Sequence, residues 1–268
     1  MPEGDTIHRI ATTLAPLLVG QTLERVTTQG LVRGIAGRVV ASVAAHGKHL
    51  VIELDDGTAL RAHLGMYGRF RRHARAEGEE ALARMSPGRV SLAVVTAGGV
   101  YLWIGARTIE ISPRRAPLHG VAISTRGPDV LGDHFDSRQA ASRAAVHASR
   151  TVGEVLLDQR VVAGIGNVYK SEVLFVRGLD PRTRVGAIAE AQLDLVYATA
   201  RDLMLENLGP APRSTRERQI HDTPRDRYFV YGRTGMPCRR CAMRIACYAL
   251  GDPPRWTWSC ATCQPHLG

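Results

Sequence analysis

The sequence predicts an α+β chain: an antiparallel β-sandwich flanked by one helix, then a helical segment, then a small ribbon held by cysteines. Three observations carry this. Residues 22–112 run in short alternating or apolar stretches broken by glycine turns, the pattern of half-buried strands. Beyond about residue 131, apolar residues recur at spacings of three and four, as on one face of a helix. All five cysteines, at 238, 241, 247, 260 and 263, fall near the end of a 268-residue chain. That length accommodates two ordinary domains, or one with an appendage. The expected divisions are a β-sandwich over 1–112, a Pro/Gly-rich linker over 113–130, a helical domain over 131–227 and the ribbon over 228–268.

The elements follow in order. Ile7, Ile10, Leu14, Leu17 and Leu18 have helical spacing, and Asp5 and Thr6 suit a first turn. Pro16 should kink or end that helix. Gly47, Asp56-Gly57 and Gly98-Gly99 interrupt the following apolar runs and close tight hairpins, since glycine accepts positive φ. The stretch RFRRHARAEGEEALARMSPGR is expected to be an exposed charged loop. VGEVLLDQRVVAGIGNVYKSEVLFVRGLDP reads as helix, turn, helix, and AEAQLDLVYATARDLML as a helix whose Leu193, Val196, Tyr197, Ala200, Leu203 and Met204 form a core stripe. GPAPRSTRERQIHDTPRDR is a basic loop with three prolines, expected to be mobile.

Charge narrows the partners. The net charge is +10, and Lys48 and Lys170 are the only lysines among 35 basic residues, so arginine supplies the rest. Arginine grips phosphate in a fixed fork, and such an excess favours a polyanion such as nucleic acid, although a GC-rich genome also spells its cations as arginine. Amine-based covalent chemistry has only Lys48, Lys170 or the N-terminus to draw on. No run of 18 apolar residues exists, and MPEGDTIHRI lacks the basic and apolar regions of a secretory signal, so a cytoplasmic chain with no membrane span is expected.

Cys238 and Cys241 are two residues apart, as are Cys260 and Cys263, with eighteen residues between the pairs. Two such knuckles converge on one Zn²⁺, and four thiolates close its shell, so the site should be structural. Cys247 is left over, and a rival shell using Cys247 or His266 has less regular spacing. Arg255, five residues before Cys260, falls on the ribbon's hairpin, where a rigid support would suit phosphate binding. In AGIGNVYKSE, Gly164 and Gly166 allow close backbone approach and Asn167 stands where a helix would be capped; this reads either as a plain capped turn or as a phosphate site. Lys48 follows Gly47 at a strand edge, and Met66-Tyr67 lies between two glycines, as a hairpin corner or as a wedge for a stacked duplex. Pro2 and Glu3 open the chain: a loose terminus, or a free secondary amine beside a carboxylate once Met1 is removed.

Taken together, MPEG, HGK, HLGM, GPD, GIGNVYKSEVLF, VYGRTGMPCRRC and RWTWSCATCQ resemble the formamidopyrimidine-DNA glycosylase and endonuclease VIII family, in that family's order and across almost the whole chain. The resemblance implies a helix-two-turn-helix domain and a zinc ribbon behind the sandwich. It also implies a bifunctional glycosylase and AP lyase of base excision repair, acting on double-stranded DNA with oxidised bases or abasic sites in a bacterial cytoplasm, nucleoid-associated through DNA binding; a monomer is the simplest expectation. Pro2 resembles the family's nucleophile, which attacks C1′, displaces the base and forms a Schiff base before β,δ-elimination. Glu3 resembles its proton donor, Lys48 the lysine that assists on the sugar-phosphate, Arg255 the ribbon arginine on phosphate, and Asn167 the phosphate-binding asparagine. Thr6 stands where many members carry Glu, and Gly65 replaces a polar wedge residue of some endonuclease VIII members, leaving Met66 as the filler. MPEG leans towards endonuclease VIII and oxidised pyrimidines, HLGM towards the purine branch; the first is favoured.

Two rivals stand beside this. A non-catalytic protein binding damage or junctions could use the same scaffold, but it gives no reason for Pro2-Glu3 or Lys48. A catalytic zinc hydrolase needs an open metal position, which four cysteines do not leave.

Overall fold

The computed structural model describes residues 1–112, 126–217, 223–224 and 226–266. The chain divides into two compact units, Met1–Thr125 and Arg126–Gly268.

The first unit opens with α1 (Gly4–Leu18), whose buried Ile7, Ala11, Leu14 and Leu18 lie along one face. The helix runs through Pro16 and continues to Leu18, two residues further than a strict stop. So close to the end, the missing N–H removes only one bond. Next come β1 (Arg25–Thr28), β2 (Leu31–Val32), β3 (Val40–His46), β4 (His49–Leu54), β5 (Ala59–His63), β6 (Arg69–His73), α2 (Arg75–Arg84), β7 (Val90–Thr96), β8 (Gly99–Ile104) and β9 (Thr108–Ser112). One antiparallel sheet has the order β2-β1-β7-β8-β6 and the other β3-β4-β5-β9. The core between them joins Leu14 and Leu18 of α1 to Leu50, Ile52 and Leu60 of one sheet and Leu92, Tyr101 and Trp103 of the other.

The stretch 69–89, expected to be a loop, is instead a strand, a helix and a short 3-10 turn at Pro87–Arg89. The strand shows little apolar periodicity because only Phe70 turns inward, against Trp103 at 5.0 Å between ring centres. The helix rests on the outer face of the sheet, over a small core of Val90, Ala93, Val95, Val100 and Leu102. Gly78 makes that approach possible: a Cβ there would stand 2.4 Å from Val100 Cβ.

The second unit begins with α3 (Ser137–Ala145), α4 (Val152–Leu157), α5 (Asn167–Val176) and α6 (Glu190–Leu205). Thr151 and Glu154 form a reciprocal capping box on α4. The predicted stripe of α6 is core: Leu193, Val196, Tyr197, Ala200 and Met204 are buried, with Leu203 partly so. The hairpin β10 (Ala246–Leu250) and β11 (Arg255–Ser259) completes the unit. Most of the linker expected at 113–130, and residues 218–222 and 225 of the proline-containing loop, lie outside the described residues.

Candidate active site

Glu3 is the residue just before α1, and its carbonyl accepts hydrogen bonds from the Thr6 and Ile7 amides at 3.0 and 3.2 Å. Its side chain is fully buried, whereas Met1 is 44% exposed. Pro2 therefore lies at the positive end of the helix, with a carboxyl group as its covalent neighbour and a removable residue before it. Lys48 shares the β3–β4 turn with Gly47, whose φ of +54° suits glycine. These are the strands on which α1 packs, so one unit holds all three residues. Met66 and Tyr67 occupy the turn between β5 and β6, 47% and 82% exposed. A substituent on Gly68 would collide with Leu64 O at 2.2 Å, which keeps this turn tight beneath two outward apolar side chains.

In the second unit the cap of α5 is Gly166, and Asn167 is the first helical residue. This differs from the sequence expectation. The Asn167 side chain is turned to the ribbon, with Nδ2 donating to Trp256 O at 2.8 Å. Gln159, which the sequence reading missed, shapes the preceding turn: its Nε2 donates to Leu157 O and Ile165 O at 3.0 and 2.9 Å, and its Oε1 accepts from Gly164 N at 3.0 Å. Its only mark in the sequence is a polar residue after an apolar helix end.

Lys170 was also missed as a site residue. It is 1% exposed, and its Nζ donates to Thr257 Oγ1 at 2.6 Å and to Trp256 O at 3.3 Å. Thr257 Oγ1 in turn donates to Arg255 O at 3.0 Å. Arg255 itself is exposed at the start of β11. Two side chains of α5 thus fasten the backbone that carries it.

Glu172 makes a second fastening. Fully buried, it accepts from the Phe229, Val230 and Tyr231 amides at 2.7, 2.8 and 2.7 Å and from the Thr215 hydroxyl. Burial pushes this carboxyl above the ordinary range, while the hydroxyl and the three amides pull against it. Four donors converging on two oxygens favour the ionised form.

Cys238, Cys241, Cys260 and Cys263 have their sulfurs within 4.8 Å of one another, at 3.8 Å for 238–263 and 3.4 Å for 241–260. Tetrahedral Zn–S bonds of about 2.3 Å place sulfurs about 3.8 Å apart, so these four could hold one metal ion. Cys247 lies on β10 outside the group, and His266 Nδ1 stands 3.6 Å from Asp180 instead.

Residues 1–102 match the formamidopyrimidine-DNA glycosylase N-terminal domain and residues 126–217 the H2TH domain of the same family. The chain is 34% identical to the DNA-(apurinic or apyrimidinic site) lyase Nei2 of Mycolicibacterium smegmatis, over 98% of this chain and 99% of that one. It is 35% identical to Endonuclease 8 2 of Mycobacterium bovis over 98% and 100%, and 30% identical to the formamidopyrimidine-DNA glycosylase of Thermus thermophilus over 98% of each. Among solved structures it is similar to the MutM (Fpg) protein of Thermus thermophilus, with a TM-score of 0.78, 27% identity and full coverage of both chains. The Lactococcus lactis glycosylase, non-covalently bound to DNA containing an AP site, shares the fold at a TM-score of 0.79 and 21% identity, over 98% of this chain and all of that one. Two domain matches in the family's order and full-length likeness to its members place this chain in the formamidopyrimidine-DNA glycosylase and endonuclease VIII family, on the endonuclease VIII side.

Proposed function

We propose that this chain is a bifunctional DNA glycosylase and AP lyase of base excision repair, with Pro2 as nucleophile and Glu3 as proton donor. The observation that carries the reading is the buried Glu3 at the start of α1, with Pro2 before it at the helix's positive end. Once Met1 is removed, the Pro2 nitrogen lone pair attacks C1′ of the damaged nucleotide. The bond to the base breaks and its electrons leave with the base. The secondary amine, now bonded to C1′, loses its proton; the C1′–O4′ bond then breaks with its electrons on O4′, which takes a proton from Glu3, and the ring-opened cationic iminium that results acidifies C2′. Loss of that proton expels the 3′ phosphate, and δ-elimination the 5′ phosphate.

Lys48 assists on the sugar-phosphate, Asn167 and Arg255 hold phosphate, and Met66 fills the gap left by the extruded base, a step costing a few kcal/mol. Asn167 Nδ2 carries two hydrogens, of which one serves Trp256 O. The substrate is double-stranded DNA with oxidised bases, pyrimidines favoured on the likeness to endonuclease VIII relatives. The four cysteines hold one Zn²⁺, which ties the ribbon together and supplies no open position for water.

The test is borohydride trapping on an oxidised-pyrimidine duplex, followed by peptide mapping. The expected product carries the sugar on the first mature residue, Pro2. Sugar on Lys48 or Lys170 with Pro2 untouched overturns the assignment, and failure to trap any adduct favours a non-catalytic damage binder.

A further inference from the structure

The stretch RFRRHARAEGEEALARMSPGR plays no part in the chemistry above, yet its folding creates a distinct cavity in the first unit. Arg69, Arg71 and His73 alternate with the inward Phe70 along β6, and their strand partners Ile104, Leu102 and Val100 belong to the outer core under α2. They therefore face away from the core into which α1 is packed. Together with Met85, Arg89 and Ile104 they line a cavity of about 330 Å³, at the small end of the range of about 300–1,000 Å³ for ligand sites.

The charges are what set it apart. Elsewhere on this face arginines are matched with acids: Arg25 pairs with Glu79, Arg75 with Glu24 at 2.5 Å, and Arg84 with Glu80 at 2.8 Å. The cavity has three guanidinium groups and no acidic residue in its wall. Among the described residues, Arg69, Arg71 and Arg89 form no ion pair. His73 contributes to the wall, and its Nε2 is buried with no hydrogen-bond partner among the described residues. Three like charges gathered without a counter-charge do not help this face fold, and forked donors are suited to phosphate oxygens.

We propose that this cavity is a phosphate-binding site separate from the catalytic residues, and that its ligand is a phosphoanion of two or more negative charges held by Arg69, Arg71 and Arg89. The same chemistry is offered by free diphosphate and by successive phosphates of a nucleic-acid strand.

The test compares the full-length protein with its R69Q/R71Q/R89Q variant. Inorganic pyrophosphate binding is followed by titration calorimetry, and binding to undamaged duplex as a function of salt. Weakening of pyrophosphate binding by tenfold or more, with an unchanged duplex salt slope, supports a free phosphoanion as ligand. A salt slope lower by about 2–3, at about 0.9 per phosphate contact, supports a nucleic-acid strand. Wild-type behaviour of the variant in both assays overturns the proposal and leaves three solvated arginines. Cleavage of an abasic duplex should be unchanged at saturating substrate, which separates this outcome from failure of the Pro2 assignment. If the triple variant does not fold, R71Q and R89Q singly carry the test, each with about a threefold loss.

Discussion

Glu3 is fully buried one residue before a helix start, and the proposed function makes it the proton donor. Glu3→Gln keeps the shape and removes the transferable proton. Base removal should slow by about 10²–10⁴-fold, the usual worth of general acid catalysis, while cleavage of a preformed abasic site slows far less. Single-turnover rates on the two substrates check this, and equal losses point to a common defect instead. Asp158 is a stabilising counterpart. Arg160, through its side-chain hydrogen bonds, and then Arg150 hold its carboxyl well below the usual range against the opposing effect of burial. A depressed folded-state value stabilises the protein above the unfolded value of about 3.9, and that contribution fades as pH falls below it. Asp158→Asn should therefore cost about 1–3 kcal/mol at pH 7 and progressively less below about pH 4. Urea unfolding at both pH values measures the difference.

At the scale of elements, α5 is the hub of the second unit. Asn167 and Lys170 bind the Trp256 carbonyl, and Glu172 binds the amides of 229–231. Lys170→Met fills the same space without the donors, so the backbone behind Arg255 should loosen. The expected result is a salt slope for DNA binding lower by about 0.9, one phosphate contact. A merely structural role for Lys170 would lower stability and leave that slope unchanged. The zinc proposed for the four cysteines carries a separate prediction for the ribbon. A strong chelator should abolish its ordered signals and DNA binding together, because structural zinc contributes about 10–16 kcal/mol in comparable small sites. Loss of the chemical step alone, with binding intact, would mark a catalytic metal.

For the whole molecule, the net charge of +10 is the dominant long-range property. If six to ten phosphates are neutralised, affinity for duplex DNA should fall about 10³–10⁵-fold between 50 and 200 mM salt. A fluorescence-anisotropy series gives the slope, and a flat dependence rules out phosphate contacts as the source of affinity. Among the described residues no helix is long and apolar enough to cross a membrane.

Whatever rests on local pattern could be read directly from the chain. Period-2 runs around glycine turns gave the two sheets, the stripe of α6 gave a core helix, and paired Cys-x-x-Cys knuckles gave the four-cysteine cluster. Each depends on residues close in the chain, where spacing alone fixes which side chains share a face. The motifs around Pro2, Lys48, Asn167 and Arg255 were legible by likeness to the family. That a charged stretch becomes β6 and α2 follows from long-range packing, since its burial comes from β8 and from the close approach at Gly78. Such packing alone brought Glu172 to amides 57–59 residues away, and Lys170 to Thr257, 87 residues away. A buried polar group is defined by the partners that satisfy it, and folding brings those partners from distant parts of the chain.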